Sequence, residues 1–112
     1  MGEYKIEVYL HPNREIRSYL TMIEISTFRV EHFKKPFNGY TSDALITLGP
    51  MGSMIVKEIL TLKGIQELHI KPKEIVIKKE TQFSWEDIEK KVLKILNHAF
   101  RRKEIRVVRS KD

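Results

Sequence analysis

The sequence predicts an α+β fold: a two-layer sandwich in which a mostly antiparallel sheet carries two helices on one face. Three observations predict it. Apolar and polar residues alternate near the start of the chain with the period of two that a strand requires. Two apolar runs meet at Lys71-Pro72-Lys73, a connection short enough for a hairpin. Two further segments repeat their apolar residues at three-to-four spacing, the signature of a helix with one buried stripe. The order is therefore strands, helix, two strands, helix, and a tight strand-to-strand turn favours antiparallel pairing.

Each element has its own reason. Tyr4, Ile6, Val8 and Leu10 alternate with Lys5, Glu7 and Tyr9, so the first strand covers them. His11-Pro12-Asn13 ends it, because proline cannot donate to a ladder and Asn favours turns. From Ile16 to Val30 the chain is rich in β-branched and aromatic residues. This reads as strand, with a bulge or bend where the apolar phase shifts near Ser26–Phe28. Lys34 to Gly39 reads as a loop, sharpest at Asn38-Gly39. Tyr40 to Leu48 reads as a returning strand through Ala44, Leu45, Ile46 and Leu48.

Gly49-Pro50-Met51-Gly52-Ser53 opens the first helix, with proline in the turn where its missing N–H has no helical partner. Met51, Met54, Ile55, Ile59 and Leu62 form its stripe, and Gly64 is its stop. Ile65, Leu68 and Ile70 give one strand of the hairpin, Ile75 and Ile77 the other. Ser84 is a cap for the second helix, with Glu86 and Asp87 in the first turn. Ile88, Val92, Ile95, Leu96, Ala99 and Phe100 form its stripe, and Trp85 packs at the core or its rim. Ile105, Val107 and Val108 read as a short edge strand or a frayed end.

Composition narrows the function. The 112 residues hold 21 Lys and Arg against 15 Asp and Glu, a net charge of +6, and no cysteine. That length suits one domain, read here as residues 1–100, followed by a basic tail over 101–112. The tail holds Arg101, Arg102, Lys103, Arg106, Arg109 and Lys111 against Glu104 and Asp112, so most of the net charge lies there. Without cysteine there is no disulfide, no thiolate nucleophile and no Cys-held zinc or cluster. No apolar run reaches the roughly 18 residues of a membrane span, and no secretory leader is apparent at the start. A cytoplasmic location is expected.

Catalytic patterns are missing. His11, His32, His69 and His98 form no pair at helical metal-ligand spacing, so no metal site is expected from spacing. No G-x-S-x-G elbow surrounds any serine. Gly49 to Ser53 lacks the Gly-Lys ending of a phosphate loop. Glu86-Asp87 is explained by its helix start. The chain is expected not to be an enzyme and to use no cofactor.

The stretch Met54 to Leu96 resembles the N-terminal domain of the Nfu (NifU-like) iron–sulfur scaffold family. The resemblance rests on Ile59-Leu60-Thr61-Leu62-Lys63-Gly64-Ile65, Glu67-Leu68-His69-Ile70, Glu74 to Glu80, and Ser84-Trp85-Glu86-Asp87-Ile88. Pro12-Asn13 matches the middle of the Thr-Pro-Asn-Pro-Asn element that follows the family's first strand. His11, Arg14 and Glu15 depart from it. Full-length family members carry a second domain whose Cys-x-x-Cys holds the cluster. The resemblance therefore implies a stand-alone, non-ligating domain: an accessory protein that docks on an iron–sulfur scaffold or client. Pro12 and Asn13 are the residues carried over, and a plain turn is their structural role. The alternative from a different class is a small nucleic-acid-binding protein, with Arg101, Arg102, Lys103, Arg106, Arg109 and Lys111 on phosphates. No aromatic stacking pair or helix-turn-helix signature accompanies them.

Overall fold

The computed structural model describes residues 6–27, 30–35 and 45–111, with side chains described as far as Arg101. Five strands form one antiparallel sheet: β1 (Ile6–Leu10), β2 (Ile16–Thr21), β3 (Glu31–Lys34), β4 (Ile65–Lys71) and β5 (Glu74–Lys79). Their spatial order is β1-β2-β5-β4-β3. Helices α1 (Gly49–Leu60) and α2 (Trp85–Lys111) pack against each other, and α1 also lies on β4. This is the α+β sandwich that the sequence predicts.

Register assigns each side chain to a face. Phe33, Leu68, Ile77 and Arg17 stand in one row across the sheet, and Ile70, Ile75 and Tyr19 in the next. Apart from Arg17 these side chains are fully buried. They meet Ile55, Val56 and Ile59 of α1 and Ile88, Val92, Leu96, Ala99 and Phe100 of α2 in one core. The expected stripe of α2 is borne out except that Ile95 is only partly buried. In α1 the stripe turns slightly: Val56 is buried, while Met51 and Met54 pack at the margin, as does Leu62 just past the helix end. The opposite row runs Tyr9, Ser18, Val76, His69, His32 and has no helix over it among the described residues.

The turns hold this arrangement. Pro50 occupies the first turn of α1, as its sequence context predicts. The helix ends at Leu60, with Thr61 as its cap: the Thr61 hydroxyl donates to the Glu58 carbonyl at 2.6 Å. Gly64 is not the helix stop itself but the entry to β4, with φ +93°. A Cβ there would lie 2.7 Å from the Phe83 ring, so the position excludes side chains twice over. Gly52 is a close approach of a different kind, because a Cβ would meet the Ile25 carbonyl, Leu48 and Ser26 at 3.0 Å each. Ser84 caps α2, accepting the Glu86 N–H at 3.1 Å.

Three sequence readings change. The strand read over Ile16 to Val30 ends at Thr21. Its neighbour β5 begins at Glu74 opposite Leu20, so the ladder partner runs out there. Thr21 and Ile25 donate instead to the carbonyls of Lys73 and Pro72 in the β4–β5 turn. The strand read over Tyr40 to Leu48 falls outside the described residues up to 44, and Leu45 and Ile46 are helical. Leu45 and Leu48 lie three apart, as a helical turn needs, and the Leu48 N–H donates to the Leu45 carbonyl. The stretch through Ile105, Val107 and Val108, read as a short edge strand or a frayed end, is helical: α2 continues through Lys111. Tyr4, Lys5 and the Lys34–Gly39 loop beyond Lys35 also lie outside the described residues.

Candidate functional site

Among the described residues, two places that gather polar side chains stand out. The first is the corner where the β1–β2 turn meets the start of α2. Pro12, Asn13 and Arg14 are exposed in that turn. The Asn13 carboxamide accepts the Glu15 N–H at 2.9 Å, an Asx turn. The Ile16 N–H donates to the Asn13 carbonyl at 3.0 Å, so the connection is a formed turn. The turn is then tied down from below. The Trp85 indole N–H donates to the Arg14 carbonyl at 2.7 Å, and the Lys79 N–H donates to the Glu15 carbonyl. The Thr81 hydroxyl also bonds the Glu15 carboxylate. The Pro12-Asn13 turn and Trp85, far apart in sequence, are thus joined by one hydrogen bond.

Beside them is a cleft of about 530 Å³ lined by Arg17, Ser84, Trp85, Glu86, Glu89, Lys90 and Leu93. One Glu89 oxygen accepts both the Arg17 guanidinium at 2.7 Å and the Tyr19 phenol at 3.0 Å. Burial, reinforced by the Glu89 charge and hydrogen bond, pushes the Tyr19 hydroxyl far above its ordinary range. It therefore acts as a fixed donor. The Arg17 guanidinium lies 5.0 Å from the Trp85 ring centroid, a cation–π distance. Ser84 is occupied in capping. This arrangement fixes the side chains that line the cleft, and among the described residues lining it no base is hydrogen-bonded to a nucleophile.

The second place is on the open face of the sheet. His32 on β3 stands directly opposite His69 on β4, and Glu67 lies two residues before His69 on the same face. The two imidazoles stack, with centroids 3.9 Å apart and planes 12° from parallel. His32 Nε2 lies 2.9 Å from Glu67 Oε1, while Lys78 Nζ lies 3.9 Å from the other oxygen, Oε2. One donor atom from each of His32, Glu67 and His69 lies within 4.8 Å of the others. Burial, with the His32 charge adding to it, lowers the His69 pKa below the ordinary histidine value. Burial raises the Glu67 carboxyl, but the His32 hydrogen bond and the nearby Lys78 charge outweigh it and hold the group below its usual range. A search by spacing along one segment does not find this cluster, because the antiparallel register of β3 and β4 builds it from residues 35 apart.

The basic residues singled out at the end of the chain lie on the last turns of α2. Arg101 is exposed, and Arg102, Lys103, Arg106, Arg109 and Lys111 continue on helical backbone. In sequence they lie far from the Pro12-Asn13 turn and from His32, Glu67 and His69.

Comparison with known proteins gives one family. The model described as scaffold protein Nfu/NifU N terminal matches residues 11–103. Among solved structures, a NifU-like protein from Saccharomyces cerevisiae superposes with a TM-score of 0.60 at 18% identity, covering 86% of this chain and 77% of that one. A crystal structure of a Staphylococcus aureus protein superposes at 0.56 and 18% identity, covering 82% of this chain and 98% of that one. At such identities the superpositions show a shared fold. No curated protein matches the sequence.

Proposed function

Because this chain belongs to the Nfu/NifU N-terminal family of scaffold proteins, we propose that it serves iron–sulfur cluster assembly as a non-catalytic accessory module that docks on a cluster scaffold or its client. One observation carries the reading: the family match spans residues 11–103 of a sequence without cysteine. These residues hold no cluster through thiolates, so what they offer the process is contact. No helix among the described residues is long and apolar enough to cross a membrane. The reading has the chain act in the cytoplasm, where a protein without disulfides is at home.

The contact surface in this reading is the turn–helix corner. Pro12 and Asn13 are exposed on a turn that Trp85 and Lys79 hold by its backbone. A loop that is exposed yet fixed loses little entropy on binding, which suits recognition. The neighbouring cleft adds both charges, with Arg17 and Lys90 beside Glu86 and Glu89.

The test is an NMR titration of the labelled chain with a Cys-x-x-Cys scaffold domain. Shifts are expected along residues 12–17 and 84–93, and Lys90→Glu, an exposed change, is expected to weaken the complex without altering the fold. No shift at about 1 mM partner would end the docking reading. Oligonucleotide binding that falls steeply with salt, and disappears when residues 101–112 are removed, would instead assign the function to the basic segment.

A further inference from the structure

We propose that His32, Glu67 and His69 form a binding site for a divalent first-row transition-metal ion on the open face of the sheet. The inference goes beyond the docking reading and does not depend on it. Its basis is register. His32 and His69 are direct cross-strand partners, and Glu67 follows the period of two onto the same face. β4 lies between β3 and β5, so the backbone under Glu67 and His69 is held by ladders on both sides, and His32 stands on the edge strand β3, paired to β4.

The donor set is specific in its chemistry. Two imidazoles and one carboxylate suit borderline ions such as Zn(II) and Fe(II), whereas Ca(II) and Mg(II) prefer oxygen throughout. Three protein ligands leave one or more coordination positions open, and the partial exposure of His32 and Glu67 puts those positions toward solvent. The carboxylate is already divided between two tasks. Its Oε2 faces Lys78, which leaves Oε1 toward His32 and the site. Lys78 thereby acts as the outer partner that orients a ligating carboxylate.

The present donor spacing is close to what an ion needs. Ligands on a tetrahedral zinc lie about 3.3 Å apart, so donors within 4.8 Å must close by roughly 1.5 Å at most. The stacked rings place their in-plane lone pairs nearly parallel. Convergence therefore requires one ring to turn about χ2, a torsion with broad wells in histidine. His32 is the ring free to make it, since its side chain is 43% exposed. The ion replaces the His32–Glu67 hydrogen bond by bringing both atoms onto one centre.

The experiment uses the whole chain. Co(II) is titrated in while its visible ligand-field bands are followed, Zn(II) affinity is read by competition with a chelating dye, and Fe(II) is tested under anaerobic conditions. One equivalent is expected to bind. His32→Asn and His69→Asn are each expected to weaken binding at least about tenfold, and Glu67→Gln several-fold, while His11→Asn and His98→Asn leave it unchanged. In the unaltered chain, the imidazole ¹⁵N resonances of His32 and His69 are expected to shift with Zn(II), and those of His11 and His98 to stay. That measurement decides the matter even if a variant fails to fold. Binding that does not saturate below about 1 mM, affinity unchanged from the unaltered chain in both histidine variants, or shifts at His11 or His98 instead would overturn the site.

Discussion

The two faces of one sheet have been given opposite work. On the covered face, Tyr19, Phe33, Leu68, Ile70, Ile75 and Ile77 are fully buried against two helices. On the open face, Glu67, His69, His32 and Lys78 make hydrogen bonds, ion pairs or ring contacts at or near the surface. Neighbouring residues on a strand therefore contribute differently. Burying an aliphatic side chain is worth about 1.5–3 kcal/mol, whereas a surface ion pair is worth about 0–1 kcal/mol. Stability resides on the covered face. The open face can therefore carry polar chemistry at little expense to folding.

Substitutions can break this contrast, and the largest effect is expected in the core. Phe33→Ala removes a fully buried ring from an edge strand and should cost about 3–5 kcal/mol in urea unfolding. Gly64→Ala imposes a side chain on a left-handed residue against Phe83 and should cost about 1–3 kcal/mol by the same measurement. A cost near zero would mean that the α1–β4 connection can be rebuilt without strain. Trp85→Phe keeps the packing but deletes the indole donor to Arg14. About 1 kcal/mol is expected, with faster amide exchange confined to the β1–β2 turn.

The smallest effect sharpens the contrast through pH. His69 faces His32, Glu67 and Lys71, with Lys78 beyond Glu67 and Lys34 on the neighbouring strand. Its folded pKa is lowered, so the unfolded chain binds that proton more tightly. The associated stability is full above the ordinary histidine value and is lost as pH falls through the lowered one. Glu67, also lowered, extends the loss to more acid pH in the same direction. A ¹⁵N imidazole titration should place His69 below the ordinary value of about 6.5. A midpoint at or above that value would show that burial does not govern it.

What the sequence reveals follows the range of its physical signals. Local periodicity and capping identified β1, the β4–β5 hairpin, α1 and the Ser84 start of α2, because each depends on residues within one or two turns. The end of β2 was not legible. Ile23, Ile25 and Thr27 have strand propensity, but a strand also needs a partner, and β5 stops at Glu74. Ile105, Val107 and Val108 favour strands by type, yet they continue a helix nucleated some turns earlier, where extension is easier than a new start. Leu45 and Leu48 follow helical spacing, but with Ala44 and Ile46 they also make a short apolar run that reads as a strand. Of the candidate site, Trp85 and Pro12-Asn13 were visible, but their junction was not. The histidine cluster was invisible because only the register of β3 on β4 creates it.

One pair of adjacent residues tests the two-faced account most directly. Leu68 and His69 follow one another on β4, one fully buried under the helices and the other on the open face. Equilibrium urea unfolding of Leu68→Ala and His69→Ala, at neutral pH without added metal, compares them on the same backbone. The account predicts a loss of about 2–5 kcal/mol for Leu68→Ala and within about 1 kcal/mol for His69→Ala. Equal losses, or a larger loss at His69, would contradict it.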